Sequence, residues 1–131
     1  MRIAPGLLDE VVAHALRDAP DECCGVVAAR DGAATSVHAT ENLAHSPYRF
    51  EVEGLVLLRL LEDLERAGEG VQAIYHSHPH SPAYPSQTDV NFAGGWPGVA
   101  WLIVSLATGE PDVRSFSITQ GRIAEEALEV T

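Results

Sequence analysis

Two histidines and an aspartate in the middle of the chain have residue types and a spacing that suit metal chemistry. The apolar run before them is typical of a buried strand, and if this strand continues to residue 78, His76 and His78 project from one face of it. A proline-rich loop then ends any strand pairing. Ser86, with Asp89 three residues later, is the pattern of a capped helix start. We therefore expect the two imidazoles and the carboxylate to converge.

This donor set suits zinc, which binds imidazole nitrogen and carboxylate oxygen. A catalytic zinc site has three protein ligands and a water, whose pKa falls to about 7. A structural interpretation fits the spacing equally well. Histidines on apolar strands are often packed core residues, and Ser86 and Asp89 could serve only as helix caps.

The same residues carry a family resemblance. His-Ser-His-Pro at 76–79, six further residues, Ser86, two residues and Asp89 resemble the His-x-His-Pro-x6-Ser-x2-Asp motif of the JAMM (MPN+) metalloproteases. That family also has an upstream glutamate, often in Glu-x-Cys-Gly, which resembles Glu-Cys-Cys-Gly at 22–25 here. The likeness extends over almost the whole chain. It looks closest to the small bacterial members that process ubiquitin-like sulfur carriers.

The resemblance implies a role for each of five residues. His76, His78 and Asp89 would bind Zn2+. Glu22, which by itself reads as a surface carboxylate, would act as general base and then as general acid. Ser86 would support the oxyanion that forms during hydrolysis.

The implied activity is hydrolysis of an amide or isopeptide bond. The substrate would be the C-terminal Gly-Gly tail of a ubiquitin-like sulfur carrier, with release of cysteine. Short connections argue against a polyubiquitin specialist, while an isopeptidase of other specificity and a non-catalytic MPN scaffold stay open. A zinc deaminase is disfavoured because its His-x-Glu and Pro-Cys-x-x-Cys signatures are absent.

Composition bounds the remaining possibilities. The 131 residues predict one domain, 1–131. Eight basic and nineteen acidic side chains give a net charge of −11, which argues against nucleic acid and anionic membranes as partners. No apolar run has the ~20 residues of a membrane span and no signal pattern opens the chain, so we expect a cytoplasmic protein.

The adjacent Cys23 and Cys24 predict no disulfide and are typical of inert, buried thiols. Oligomeric state is not indicated.

The elements that position these residues form an α/β domain. We expect two long helices and one short helix around a mixed, largely antiparallel sheet, which fits the cytidine-deaminase-like fold of the JAMM family. His45 and His80 are expected to face solvent. The predicted strands lie at residues 2–4, 23–29, 35–40, 48–52, 71–78, 99–106 and 113–118, with a last one through 125. The predicted helices begin at residue 5, after Gly54, and at the N-cap Ser86.

Overall fold

The computed structural model describes residues 1–131 and has one central sheet of six strands. The sheet strands are β2 (Cys24–Arg30), β3 (Ala33–Thr40), β4 (Gly70–His78), β5 (Ala100–Ser105), β6 (Asp112–Thr119) and β7 (Arg122–Glu126). Their order across the sheet is β3-β2-β4-β5-β6-β7. All neighbouring pairs are antiparallel except β4 and β5, which are parallel. The predicted fold class is confirmed.

Three helices cover the two faces of this sheet: α1 (Pro5–Asp18), α2 (Gly54–Arg66) and α3 (Gln87–Ala93). Pro5 opens α1 because a proline at the first helical position loses no hydrogen bond. Val11 and Ala15 of α1 pack on one face of the sheet, whereas Leu64 of α2 packs on the opposite face. None of the helices is long and apolar enough to cross a membrane.

Strand β4, which ends in the two candidate histidine ligands, lies in the middle of the core. β4 lies between β2 and β5, and its Tyr75 is fully buried. Opposite Tyr75 on β2 lies Gly25, and a Cβ atom there would come within 2.3 Å of the tyrosine ring. Only glycine at this position therefore leaves room for the ring where β2 pairs with β4. The Tyr75 hydroxyl is also hydrogen-bonded to Nδ1 of His14 at 2.7 Å, and Nε2 of His14 lies 3.1 Å from Asp18.

One predicted strand does not form. Residues 48–52 are irregular, because the side chain of Asn42 takes the place of a neighbouring strand. Its amide donates to the Arg49 carbonyl and accepts from the Glu51 N–H, both at 3.0 Å. The ends of the chain form a pair that the sequence did not suggest, in which β1 (Arg2–Ile3) runs parallel to β8 (Glu129–Val130).

Candidate metal centre

The end of β4 and the start of α3 bring three metal-binding side chains together. His76 and His78 alternate with Ser77 along β4 and so share a face. Asp89 reaches them from the first turn of α3. All three residues are buried, with exposed fractions of 5 % or less. The predicted convergence is therefore present.

The distances between the three donor atoms suit a small cation. The two Nε2 atoms are 3.0 Å apart, and Oδ2 of Asp89 lies 3.1 Å from Nε2 of His76 and 3.4 Å from Nε2 of His78. A tetrahedral ion with ligand bonds of about 2.0–2.1 Å separates its ligands by roughly 3.3–3.4 Å. A set of two imidazoles and one carboxylate thus has both the chemistry and the spacing for such an ion.

The tautomer of His78 also fits a metal site. Its Nδ1 donates to the Pro82 carbonyl at 2.8 Å, so in the neutral ring the lone pair is on Nε2, which faces the other two donor atoms. The loop that supplies this carbonyl is itself fixed, because the Ser105 hydroxyl donates to the Ser81 carbonyl at 2.7 Å. The proline-rich loop therefore orients a metal-ligand candidate.

Asp89 is held by a capping box. The Ser86 N–H donates to Oδ2 of Asp89 at 2.8 Å, and the Ser86 hydroxyl accepts from the Asp89 N–H at 3.2 Å. Burial alone would raise the pKa of Asp89, but its hydrogen bonds with His76 and His78 hold this pKa well below the usual range. The carboxylate is thus ionised, as a metal ligand must be. The N-cap interpretation of Ser86 is confirmed.

Burial and Asp89 act on the two imidazoles in opposite directions. For His76, burial dominates and lowers the pKa, so the ring is neutral. For His78, burial also lowers the pKa, but the hydrogen bonds to Asp89 and to the Pro82 carbonyl outweigh it and raise the pKa overall. A metal cation bound here would take the place of the proton that the raised pKa of His78 favours on Nε2.

Glu22 lies beside this cluster because of the strand register. Cys24 pairs with His76, and the Ser77 N–H donates to the Cys23 carbonyl at 3.2 Å, so Glu22 lies just beyond the paired residues, at the end of β4 that carries His78. Glu22 is 4 % exposed. Burial raises its pKa to about 8, and the nearby Asp89 carboxylate adds to the rise while His78 opposes it. A glutamate whose pKa lies near neutral pH can both accept and donate a proton.

Two residues at this site were not recognised in the sequence. Asn42 donates to the Glu22 carbonyl at 3.0 Å, and the Ser77 hydroxyl accepts from the Cys23 N–H at 2.8 Å. The sequence indicates only an ordinary loop residue at Asn42, because its contacts in the fold are all that distinguish it from other asparagines. The one usable signal for Ser77 was its position between the two histidines, facing away from them.

The remaining candidates lie outside the cluster. His80 and His45 are exposed, as expected. Cys23 and Cys24 are buried and unpaired. Burial raises the pKa of Cys23 to about 12 and that of Cys24 to about 11, so neither is a thiolate near neutral pH.

Comparison with known families decides the assignment. Residues 4–119 match the family described as prokaryotic homologs of the JAB domain. This chain belongs to that family. The family match confirms the resemblance to JAMM proteins that the motif indicated.

Curated relatives of this JAB-family chain are peptidases. A CysO-cysteine peptidase of Mycobacterium tuberculosis is 36% identical over 98% of this chain and 89% of its own length. A probable TtuB-protein conjugate cleaving protease of Thermus thermophilus is 38% identical over 89% of this chain and 75% of its own length. A desampylase of Haloferax volcanii is 36% identical over 80% of each chain. The prediction of an enzyme of the peptidase class is confirmed.

Solved structures share the fold of this chain. A protein from Desulfitobacterium hafniense superposes with a TM-score of 0.87 at 31% identity, covering 99% of this chain and 92% of its own. A JAB1/MPN domain protein from Archaeoglobus fulgidus superposes with a TM-score of 0.69 at 22% identity, covering 99% of this chain and 98% of its own. The second likeness concerns the fold alone.

Proposed function

We propose that this protein hydrolyses the amide or isopeptide bond at the C-terminal Gly-Gly tail of a ubiquitin-like sulfur carrier, and that cysteine is the leaving group. The observation that carries the proposal is the convergence of two imidazoles and a carboxylate beside a buried glutamate whose pKa is about 8. The named substrates of the relatives, a CysO-cysteine adduct and TtuB-protein conjugates, support this substrate class.

Zinc is the proposed ion, and its ligands are His76, His78 and Asp89. When bound, it supplies a Lewis acid and lowers the pKa of water to about 7. The mixed nitrogen and oxygen donors favour zinc over magnesium or calcium, which prefer oxygen alone. Glu22 is not a ligand in this assignment.

Glu22 is the proposed proton carrier. Its carboxylate accepts a proton as the water oxygen attacks the carbonyl carbon of the terminal glycine. The same proton then passes to the amide nitrogen as the carbon–nitrogen bond breaks, so that the amine leaves neutral. A carboxyl whose pKa is near 8 before a cation binds, and lower afterwards, can serve in both directions.

Ser86 is the proposed oxyanion donor. Its hydroxyl oxygen accepts from the Asp89 N–H, which leaves its own proton free to donate to another group. Ser86 is exposed at the start of α3, so that proton is accessible to a substrate.

An extended Gly-Gly tail has no bulky side chains. It could therefore reach the metal centre through a narrow slot, bound by main-chain hydrogen bonds to a strand edge.

The direct test is cysteine release. The carrier–cysteine adduct is incubated with the zinc-loaded protein, and free cysteine is measured by chromatography against time. We expect stoichiometric release, slowed about 1,000-fold to a measurable residual rate in Glu22→Gln and retained in Glu51→Gln, a matched change at an exposed glutamate. If other conjugates are cut while cysteine is not freed, the cysteine assignment is wrong.

A second candidate is an isopeptidase that releases proteins joined to the carrier through lysine. One observation favours it: Glu22 lines a polar cleft of about 410 Å³ whose other charged residues include Asp18, Asp21 and Glu41. These carboxylates suit a basic segment on the leaving side. A carrier–lysine peptide conjugate in the same assay distinguishes the two candidates. A non-catalytic scaffold would release neither product and would carry no stoichiometric zinc.

A further inference from the structure

The peptide group that joins Glu22 to Cys23 is bonded by side chains on both sides. It precedes β2, which begins at Cys24, so it has no place in the strand ladder. Its carbonyl accepts from Nδ2 of Asn42 at 3.0 Å, and its N–H donates to Oγ of Ser77 at 2.8 Å. Asn42 is 5 % exposed and Ser77 is 0 % exposed.

The amide of Asn42 uses its full hydrogen-bonding capacity. Besides the Glu22 carbonyl, its NH2 donates to the Arg49 carbonyl, and its oxygen accepts from the N–H groups of Ala44 and Glu51, all at 3.0 Å. An asparagine amide has two donor hydrogens and two acceptor lone pairs, so none is left over. A flipped amide would set its oxygen against two carbonyls, and the orientation of Asn42 is therefore fixed.

The carboxylate of Glu22 depends on this backbone support. The Glu22 side chain makes no hydrogen bond or ion pair with another residue, whereas its backbone carbonyl is bonded by Asn42. The place of the carboxylate beside the metal-binding side chains therefore follows from where its backbone is held. The Glu22 N–H adds one further contact, to the Ser46 carbonyl at 2.9 Å.

We propose that Asn42 and Ser77 are positioning residues for catalysis: together they fix the Glu22–Cys23 peptide group and so hold the Glu22 carboxylate beside the metal site. This inference rests on the proposed function of Glu22 as proton carrier. Neither residue touches the substrate or the metal in this assignment. Their effect is on the rate of proton transfer, which depends steeply on donor–acceptor placement.

The test compares two substitutions with a matched control. Asn42→Asp keeps the shape and the acceptor oxygens but sets an oxygen against the Glu22 carbonyl, and Ser77→Ala removes the acceptor for Cys23. Thr40→Val removes a similar buried bond, from the Thr40 hydroxyl to the Cys24 carbonyl. We expect kcat to fall about 100-fold in the first two variants, with KM and zinc per chain unchanged, and to stay within about twofold in the control.

A second background separates positioning from general damage. In Glu22→Gln, adding Asn42→Asp should cause no further loss of kcat, because the group it positions is already gone. The same 100-fold loss in both backgrounds would refute the proposal. So would a fall in zinc content that accounts for the lost activity.

Two measurements need no substrate. We expect the Cys23 amide of the zinc-loaded protein to exchange with solvent at least tenfold faster in Asn42→Asp, and a crystal structure of this variant to show the Glu22 carboxylate displaced. An unmoved carboxylate would refute the proposal even if activity fell. If the wild-type protein cuts no carrier conjugate, the proposed function fails, and these two measurements still decide whether Asn42 positions Glu22.

Discussion

Replacing Glu22 with glutamine should make the metal-free protein more stable, by an amount that depends on pH. Burial raises the pKa of this carboxyl from an ordinary value of 4.5 to about 8. Between these two values the folded state binds more protons than the unfolded state, so the stability of the wild-type protein falls as pH rises. Glutamine resembles the neutral acid at every pH and does not contribute to that fall.

The size of the effect follows from the shift. The rise of the pKa from 4.5 to about 8 corresponds to roughly 5 kcal/mol of folding free energy. Solvent that reaches the carboxyl from the adjoining polar cleft screens it, so we expect about 2–3 kcal/mol at pH 8. Near pH 4.5, where the unfolded carboxyl is only half ionised and the folded one is neutral, the advantage should be within about 0.5 kcal/mol.

Urea unfolding with a chelator present, followed by circular dichroism, measures this difference. The wild-type protein, Glu22→Gln and the exposed-site control Glu51→Gln are compared at pH 4.5, 6 and 8. Titrating groups that lie far from Glu22 behave alike in all variants and cancel in the difference. Equal stability of Glu22→Gln and wild type at pH 8 would mean that the glutamate is solvated, which contradicts its buried position.

Three further substitutions test other parts of the site. His78→Ala should abolish both zinc binding and activity, as read by elemental analysis and cysteine release, whereas His80→Ala at an exposed position should change neither. Ser86→Ala should lower kcat about 100-fold through the lost oxyanion donor and stability by about 1 kcal/mol through the lost cap, with zinc retained; full activity would exclude the oxyanion role. Gly25→Ala should destabilise the fold by about 3 kcal/mol through its clash with Tyr75, and thermal unfolding within 1 °C of wild type would refute that close contact.

Local rules predicted the centre of the site well. Alternation along a strand placed His76 and His78 on one face, and the capping pattern put Asp89 at a helix start. Both rules act over a few residues and need no knowledge of the remaining chain. The order of the elements predicted a mixed, largely antiparallel sheet, but not that β4 and β5 form its parallel pair.

The contacts that bridge distant segments could not be predicted in this way. Asn42 replaces a strand partner for residues 48–52, so a segment with a strand-like pattern stays irregular. The hydrogen bond of Ser77 to Cys23 joins residues 54 positions apart. The pairing of β1 with β8 joins the two ends of the chain. Each of these contacts depends on the assembled fold, because residue type alone does not identify which distant segments meet.

The most direct test of the proposed centre is a crystal of the zinc-loaded protein measured on both sides of the zinc absorption edge. We expect one anomalous peak about 2.0–2.2 Å from Nε2 of His76, Nε2 of His78 and a carboxylate oxygen of Asp89. The Glu22 carboxylate should lie close to that peak without binding it. A peak elsewhere, or one in which Glu22 replaces any of the three ligands, would contradict the proposed site.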